Sequence, residues 1–183
     1  MKQFIWILII AIEIFGLTSV GKKSLIRSMF YYTQLSNLAA LLSLICMLVF
    51  GDQPWVTGFR YLSVCMLMMT FLVTVFVLVP TIKDTHLLLW SRVGFSLHIA
   101  GPFANLLSYL LLETHAQSWM IVIPPVLTLI YGLIMLWGNY KRVIDGPYPF
   151  LRVYNQSALA TVLWVCALII LIGAIASGVY LIG

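Results

Sequence analysis

Apolar residues in this chain come in long runs rather than in alternation. Runs at about 4–20, 25–50, 60–82, 88–112, 119–139 and 157–182 each come close to or exceed the ~20 residues that cross a bilayer as a helix. Inside two of them, polar residues recur every three or four positions. In the second run Thr33, Ser36/Asn37, Ala40 and Ser43 share one helical face, and Leu35, Leu38, Leu42 and Ile45 take the other. In the fourth run Ser91, Gly94, His98, Gly101/Pro102, Asn105 and Ser108 form a stripe of small and polar residues that permits close helix approach. A polar stripe on a membrane helix must face protein or a cavity, because lipid offers no hydrogen bonds. The pattern therefore predicts that the Thr33 stripe faces His98, with Glu13, which interrupts the first run, as a further neighbour.

Composition agrees with the pattern. Of 183 residues, 63% are hydrophobic and 8% charged, against about 25% charged in soluble domains. The mean hydropathy is +1.09. The fold expected is an all-α membrane protein, one six-helix bundle over residues 1–183 with no room for a soluble domain. No internal repeat or low-complexity segment is visible.

The charge distribution orients that bundle. Lys2 and Arg60 fall at one set of alternating ends. Lys22, Lys23, Arg27, Lys83, Arg92, Lys141, Arg142 and Arg152 fall at the other, so the split is 2 against 8. The positive-inside rule then puts loops one, three and five in the cytoplasm and both termini outside. The net charge of +5 is explained by anionic lipid headgroups rather than nucleic acid. Cys46, Cys65 and Cys166 each lie inside a run and read as small hydrophobes.

The remaining elements follow in order. Glu13 makes the first run a retained helix rather than a signal peptide, and a carboxylate there is expected to face the bundle interior. The third run carries only scattered Ser63, Thr70 and Thr74 and reads as lipid-facing or packing, with Pro80 marking its end. Glu113 and His115 lie at the outer end of the fourth run, in or near water. Between the fifth and sixth runs, Tyr148, Pro149 and Phe150 belong to a rigid aromatic loop suited to cover a pocket mouth. Gly173/Ser177 and Ala174/Gly178 on the last run are small-xxx-small pairs, a packing signature. Measured along the runs, Glu13, Thr33 and His98 all fall about 10–15 Å from the inner boundary, at 1.5 Å per residue.

These residue types at one depth point to a specific chemistry. A threonine hydroxyl becomes a useful nucleophile when a neutral imidazole takes its proton and a third group orients that imidazole. Thr33 and His98 supply the first two parts, and Glu13 or Asn105 could supply the third. The amides of Asn37 and Asn105 are donors for a developing oxyanion. Interhelical hydrogen bonding between Thr and His is the structural alternative. No His, Cys, Asp or Glu cluster has metal-ligand spacing, and no axial haem pair is present within the spans. No cofactor is expected.

Three segments carry a resemblance. Phe30-Tyr31-Tyr32-Thr33-Gln34-Leu35-Ser36-Asn37-Leu38, then Leu97-His98 with Pro102, then Tyr148-Pro149-Phe150-Leu151 resemble bacterial six-transmembrane relatives of the androgen-induced and androgen-dependent integral membrane proteins of animals. The animal members are intramembrane threonine hydrolases of fatty acid esters of hydroxy fatty acids. The resemblance implies a Thr nucleophile at Thr33, a His base at His98 and a fatty acyl ester as substrate. The competing expectations are a small proton-coupled transporter, in which Glu13 would relay protons, and a non-catalytic lipid-binding protein.

Overall fold

The computed structural model describes residues 2–19, 28–114 and 116–183. The described residues are helical and include no strand. Six helices organise them: α1 (Lys2–Thr18), α2 (Tyr32–Phe50), α3 (Pro54–Ile82), α4 (Arg92–Leu112), α5 (Ser118–Tyr140) and α6 (Ala158–Ile182). Helices α2 to α6 are long and apolar enough to cross a membrane. At 17 residues α1 reaches about 25 Å.

Helix α3 is the hub. It packs against α2, α4, α5 and α6, while α1 lies over α2 and α4. Arg60, Tyr61, Ser63, Val64, Cys65 and Leu67 on α3 are fully buried. Of the two readings of the third run, lipid-facing or packing, the structure bears out packing. Its scattered hydroxyls are interhelical partners: Ser63 Oγ lies 3.0 Å from Ser43 Oγ, and Thr70 Oγ1 lies 2.9 Å from Ser36 Oγ. On α2 the expected faces are present. Thr33, Ser36, Asn37, Ala40 and Ser43 are buried, and Leu42 and Ile45 are exposed.

Other boundaries shift. The second apolar run begins near residue 25, but α2 begins at Tyr32, after a turn in which Tyr31 N–H bonds the Ser28 carbonyl. Hydropathy alone cannot separate apolar loop residues such as Met29 from helix. Thr33 therefore sits in the first turn of α2, not deep within a span. The loop carrying Lys22, Lys23 and Arg27, expected on the inner side, lies outside the described residues, as does His115. Ser91 caps α4 by accepting from Gly94 N–H at 2.9 Å, so α4 starts at Arg92 rather than near 88.

Two prolines reshape the helices they sit in. Pro80 and Pro102 have no N–H to give the carbonyls of residues 76 and 98. Immediately before each, the helix widens into a π-type turn, over Thr74–Leu78 and Ser96–Ala100. There Val79 N–H reaches back to the Thr74 carbonyl and Gly101 N–H to the Ser96 carbonyl. Such wide turns often accompany functional sites, and the second one carries His98.

Two further expectations are corrected. Arg60, counted as a charge at a helix end, lies within α3 and is wholly buried, and Glu113 is buried rather than in water. On α6 the inward face is Ile172, Ala176 and Val179. The small-xxx-small pairs do not pack within the chain: Ala174 and Ser177 are exposed, and space is open around Gly173 and Gly178.

Candidate active site

The structure brings Thr33 and His98 together from helices 65 positions apart: Thr33 Oγ1 lies 3.4 Å from His98 Nε2. The other ring nitrogen, Nδ1, is 2.7 Å from the Leu88 carbonyl oxygen. A carbonyl only accepts, so Nδ1 carries the hydrogen. That leaves the Nε2 lone pair pointing at the threonine hydroxyl, the tautomer a general base requires.

Leu88 reaches His98 because residues 86–90 form a wide turn folded back over the start of α4. Ser91 N–H bonds the His86 carbonyl at 2.7 Å, and the Asp84 side chain accepts from Leu87 N–H at 2.9 Å. Gly94 makes room. A Cβ there would come within 2.6 Å of the carbonyl oxygens of both Leu87 and Leu88. The group that orients the imidazole is thus a peptide carbonyl. Neither Glu13 nor Asn105 takes that place.

The predicted oxyanion donors are also corrected. Asn37 Nδ2 already donates to the Thr33 carbonyl at 2.7 Å and the Leu97 carbonyl at 3.3 Å. Asn105 Nδ2 donates to Glu13 Oε1 at 2.8 Å and the Gly101 carbonyl at 2.9 Å. An amide has two N–H groups, and both are engaged in each case. The donor beside Thr33 is Tyr148. Its hydroxyl lies 3.3 Å from Thr33 Oγ1 and accepts from Thr33 N–H at 3.3 Å. Tyr148 was expected to act only as a cover. Burial pushes its phenol above the ordinary tyrosine range, with the Thr33 contacts pulling the other way, so at neutral pH it remains an O–H donor.

The cover is present as well. Tyr148 packs edge-on to Tyr31 at 5.6 Å and stacks on Phe150 at 5.2 Å; Phe150 in turn meets Trp164 of α6. Pro149 starts a short 3-10 turn, Pro149–Leu151, that holds this aromatic series in place. Beneath it an apolar cleft runs between α2, α3, α5 and α6, holding about 630 Å³ of space with its open mouth included. Thr33 and Tyr148 lie on its wall, with Met69, Leu78, Gly132 and Leu168 among its apolar lining.

A second polar group, not foreseen, lies toward the other end of the bundle. Arg60 Nε and Nη2 donate to Glu113 Oε2 and Oε1 at 2.8 and 2.9 Å, and Nη1 donates to Asn105 Oδ1 at 2.9 Å. Ser108 Oγ also donates to Glu113. The available signal was an arginine and a glutamate at the same-side ends of two neighbouring antiparallel runs. Among the described residues no group of three His, Cys, Asp or Glu side chains could hold a metal ion.

Comparison with protein-family models, with curated proteins and with solved structures finds no match to this chain.

Proposed function

We propose that this protein is an intramembrane hydrolase of fatty acyl esters, with Thr33 as nucleophile and His98 as base. The observation that carries the proposal is the pair of contacts made by the two ring nitrogens of His98. Leu88 holds the hydrogen on Nδ1, so a basic Nε2 faces Thr33 Oγ1, and the threonine lies on the wall of an apolar cleft suited to an acyl chain. The 3.4 Å separation is long for a hydrogen bond, and catalytic contacts commonly tighten when substrate binds.

In this mechanism the acyl chain lies in the cleft and the ester carbonyl comes to Thr33. Oγ1 attacks the carbonyl carbon as its proton passes to His98 Nε2. Tyr148 O–H, held at the positive end of α2, stabilises the oxyanion. His98 returns the proton to the leaving alcohol, giving an acyl-threonine. Water, activated by His98, then releases the fatty acid. No step needs a cofactor. The substrate class extends to fatty acid esters of hydroxy fatty acids if the chain is a member of the family it resembles.

The proposal includes six transmembrane spans, α1 among them, with both termini outside and the Thr33–His98 end at the cytoplasmic leaflet. Lys83, Arg92, Lys141, Arg142 and Arg152 gather at that end. The test is covalent labelling of the purified protein with a fluorophosphonate probe. Wild type is expected to label and Thr33→Ala and His98→Ala to stay unlabelled. Labelling that survives loss of Thr33 rejects the nucleophile. Solute flux across proteoliposomes without bond cleavage would favour transport instead.

A further inference from the structure

We propose that Glu13 carries a hydrogen, donates it to Asn37 Oδ1, and through Asn37 acts as the positioning residue that holds Thr33 and His98 at their separation. This rests on the hydrolase reading above.

Glu13 and Asn37 are 1% and 0% exposed. The orientation of the Asn37 amide is settled by its partners. Its nitrogen donates to two carbonyls, of Thr33 and Leu97, so Oδ1 points the other way, toward Gly101. A Cβ at Gly101 would sit 3.2 Å from Asn37 Oδ1 and 2.9 Å from Glu13 Oε1. The two side chains therefore converge on one point of the α4 backbone. Glu13 Oε1 accepts from Asn105, whereas Glu13 Oε2 and Asn37 Oδ1 have no hydrogen-bond partner. Two acceptors cannot bond each other, but one hydrogen on the carboxyl serves both.

Charge points the same way. Glu13 on α1 faces α2 and α4. Among the described residues no cation lies within 4 Å of its carboxyl. Arg60 on α3 shares Asn105 with it and acts on it electrostatically from farther off, but is already held by both oxygens of Glu113. An ionised carboxylate without a partner is costly in an apolar interior, and a neutral acid is not.

The consequence for the site follows from what Asn37 ties together. It bonds the carbonyl of Thr33 itself and the carbonyl of Leu97, the residue before His98. One amide thus pins α2 to α4 at the two reacting residues, and Glu13 fixes that amide from behind. Glu13 touches neither reacting atom, so its role is positioning.

Wild type, Glu13→Gln and Glu13→Met are compared in detergent. The infrared spectrum of wild type is expected to show a carboxylic-acid carbonyl band at neutral pH that is lost in Glu13→Gln; its absence from wild type overturns the proposal. Glutamine keeps both bonds, its N–H to Asn37 and its oxygen from Asn105, so Glu13→Gln should label with fluorophosphonate at the wild-type rate. Glu13→Met keeps volume but no donor. It should slow the maximal labelling rate roughly tenfold to a hundredfold, the scale of a small misplacement, with the half-saturating probe concentration unchanged. Glutamine as slow as methionine would overturn the proposal, because the carboxylate's charge or a bound cation would then be what matters. A wild-type protein that takes no probe overturns the hydrolase reading and the positioning role with it, while the band still reports the hydrogen.

Discussion

Two polar clusters share the interior of this bundle, and they are built differently. Around Arg60 the ion pair and the amide contact are short, 2.8 and 2.9 Å to Glu113 and 2.9 Å to Asn105, with a longer 3.3 Å bond to Ser43 Oγ. At the Thr33 hydroxyl the contacts are long, 3.4 Å to His98 and 3.3 Å to Tyr148, and a cleft opens alongside. Charged groups out of water demand close pairing, since the desolvation cost is recovered only with good geometry. The Arg60 cluster meets that demand, with every guanidinium nitrogen and both Glu113 oxygens engaged. The Thr33 cluster is neutral; its backbone and imidazole are anchored at 2.7 Å, but its hydroxyl is loosely held, and it still has a lone pair and an O–H to present. The first reads as architecture and the second as chemistry.

Substitutions that separate stability from turnover test that division. The largest effect on turnover is expected from Thr33→Ala. It should lower ester hydrolysis by about ten-thousandfold or more, as loss of a nucleophile does, while the unfolding midpoint in detergent barely moves. Glu113→Ala should do the reverse. It strands the Arg60 guanidinium in the interior and should cost about 3–5 kcal/mol in chemical unfolding, with folded molecules still labelling. A Glu113→Ala protein as stable as wild type would break the comparison.

Smaller effects sharpen it. Tyr148→Phe removes one oxyanion donor and should lower kcat about a hundredfold while leaving the aromatic series folded, as read by unfolding. An unchanged kcat would return Tyr148 to the role of cover. Gly132 borders the cleft, and a Cβ there meets nothing within 4 Å. Gly132→Leu should therefore fold normally and lower kcat/KM for long acyl esters about tenfold, with short esters unaffected. Equal loss on short and long chains would remove the acyl chain from that cleft.

Much of this was legible in the sequence, for physical reasons that also mark where legibility ends. Period-3.6 patterning identifies the faces of α2 because a polar side chain in an apolar run has few places to go. It also brought Thr33 and His98 into one hypothesis. The same logic failed for Arg60, which looks like an end charge because it stands at the start of an apolar run; its partner is 53 positions away. Tyr148 looked like loop aromatic cover because nothing local shows a hydroxyl reaching the first turn of α2. The amides of Asn37 and Asn105 were counted as free donors because a sequence does not show which carbonyls are within reach.

The group that turns His98 toward Thr33 belongs to the main chain, and this changes how the site can be damaged. Replacing Leu88 with alanine removes its isobutyl group and leaves the oxygen where it was, so a conventional side-chain scan would pass over this part of the machinery. The vulnerable position is six residues away from Leu88, at Gly94, where a single added methyl group would push the turn off the imidazole. Inheritance at this site is therefore written as the lack of a side chain, and a search for invariant acids or amides beside the histidine would look in the wrong place.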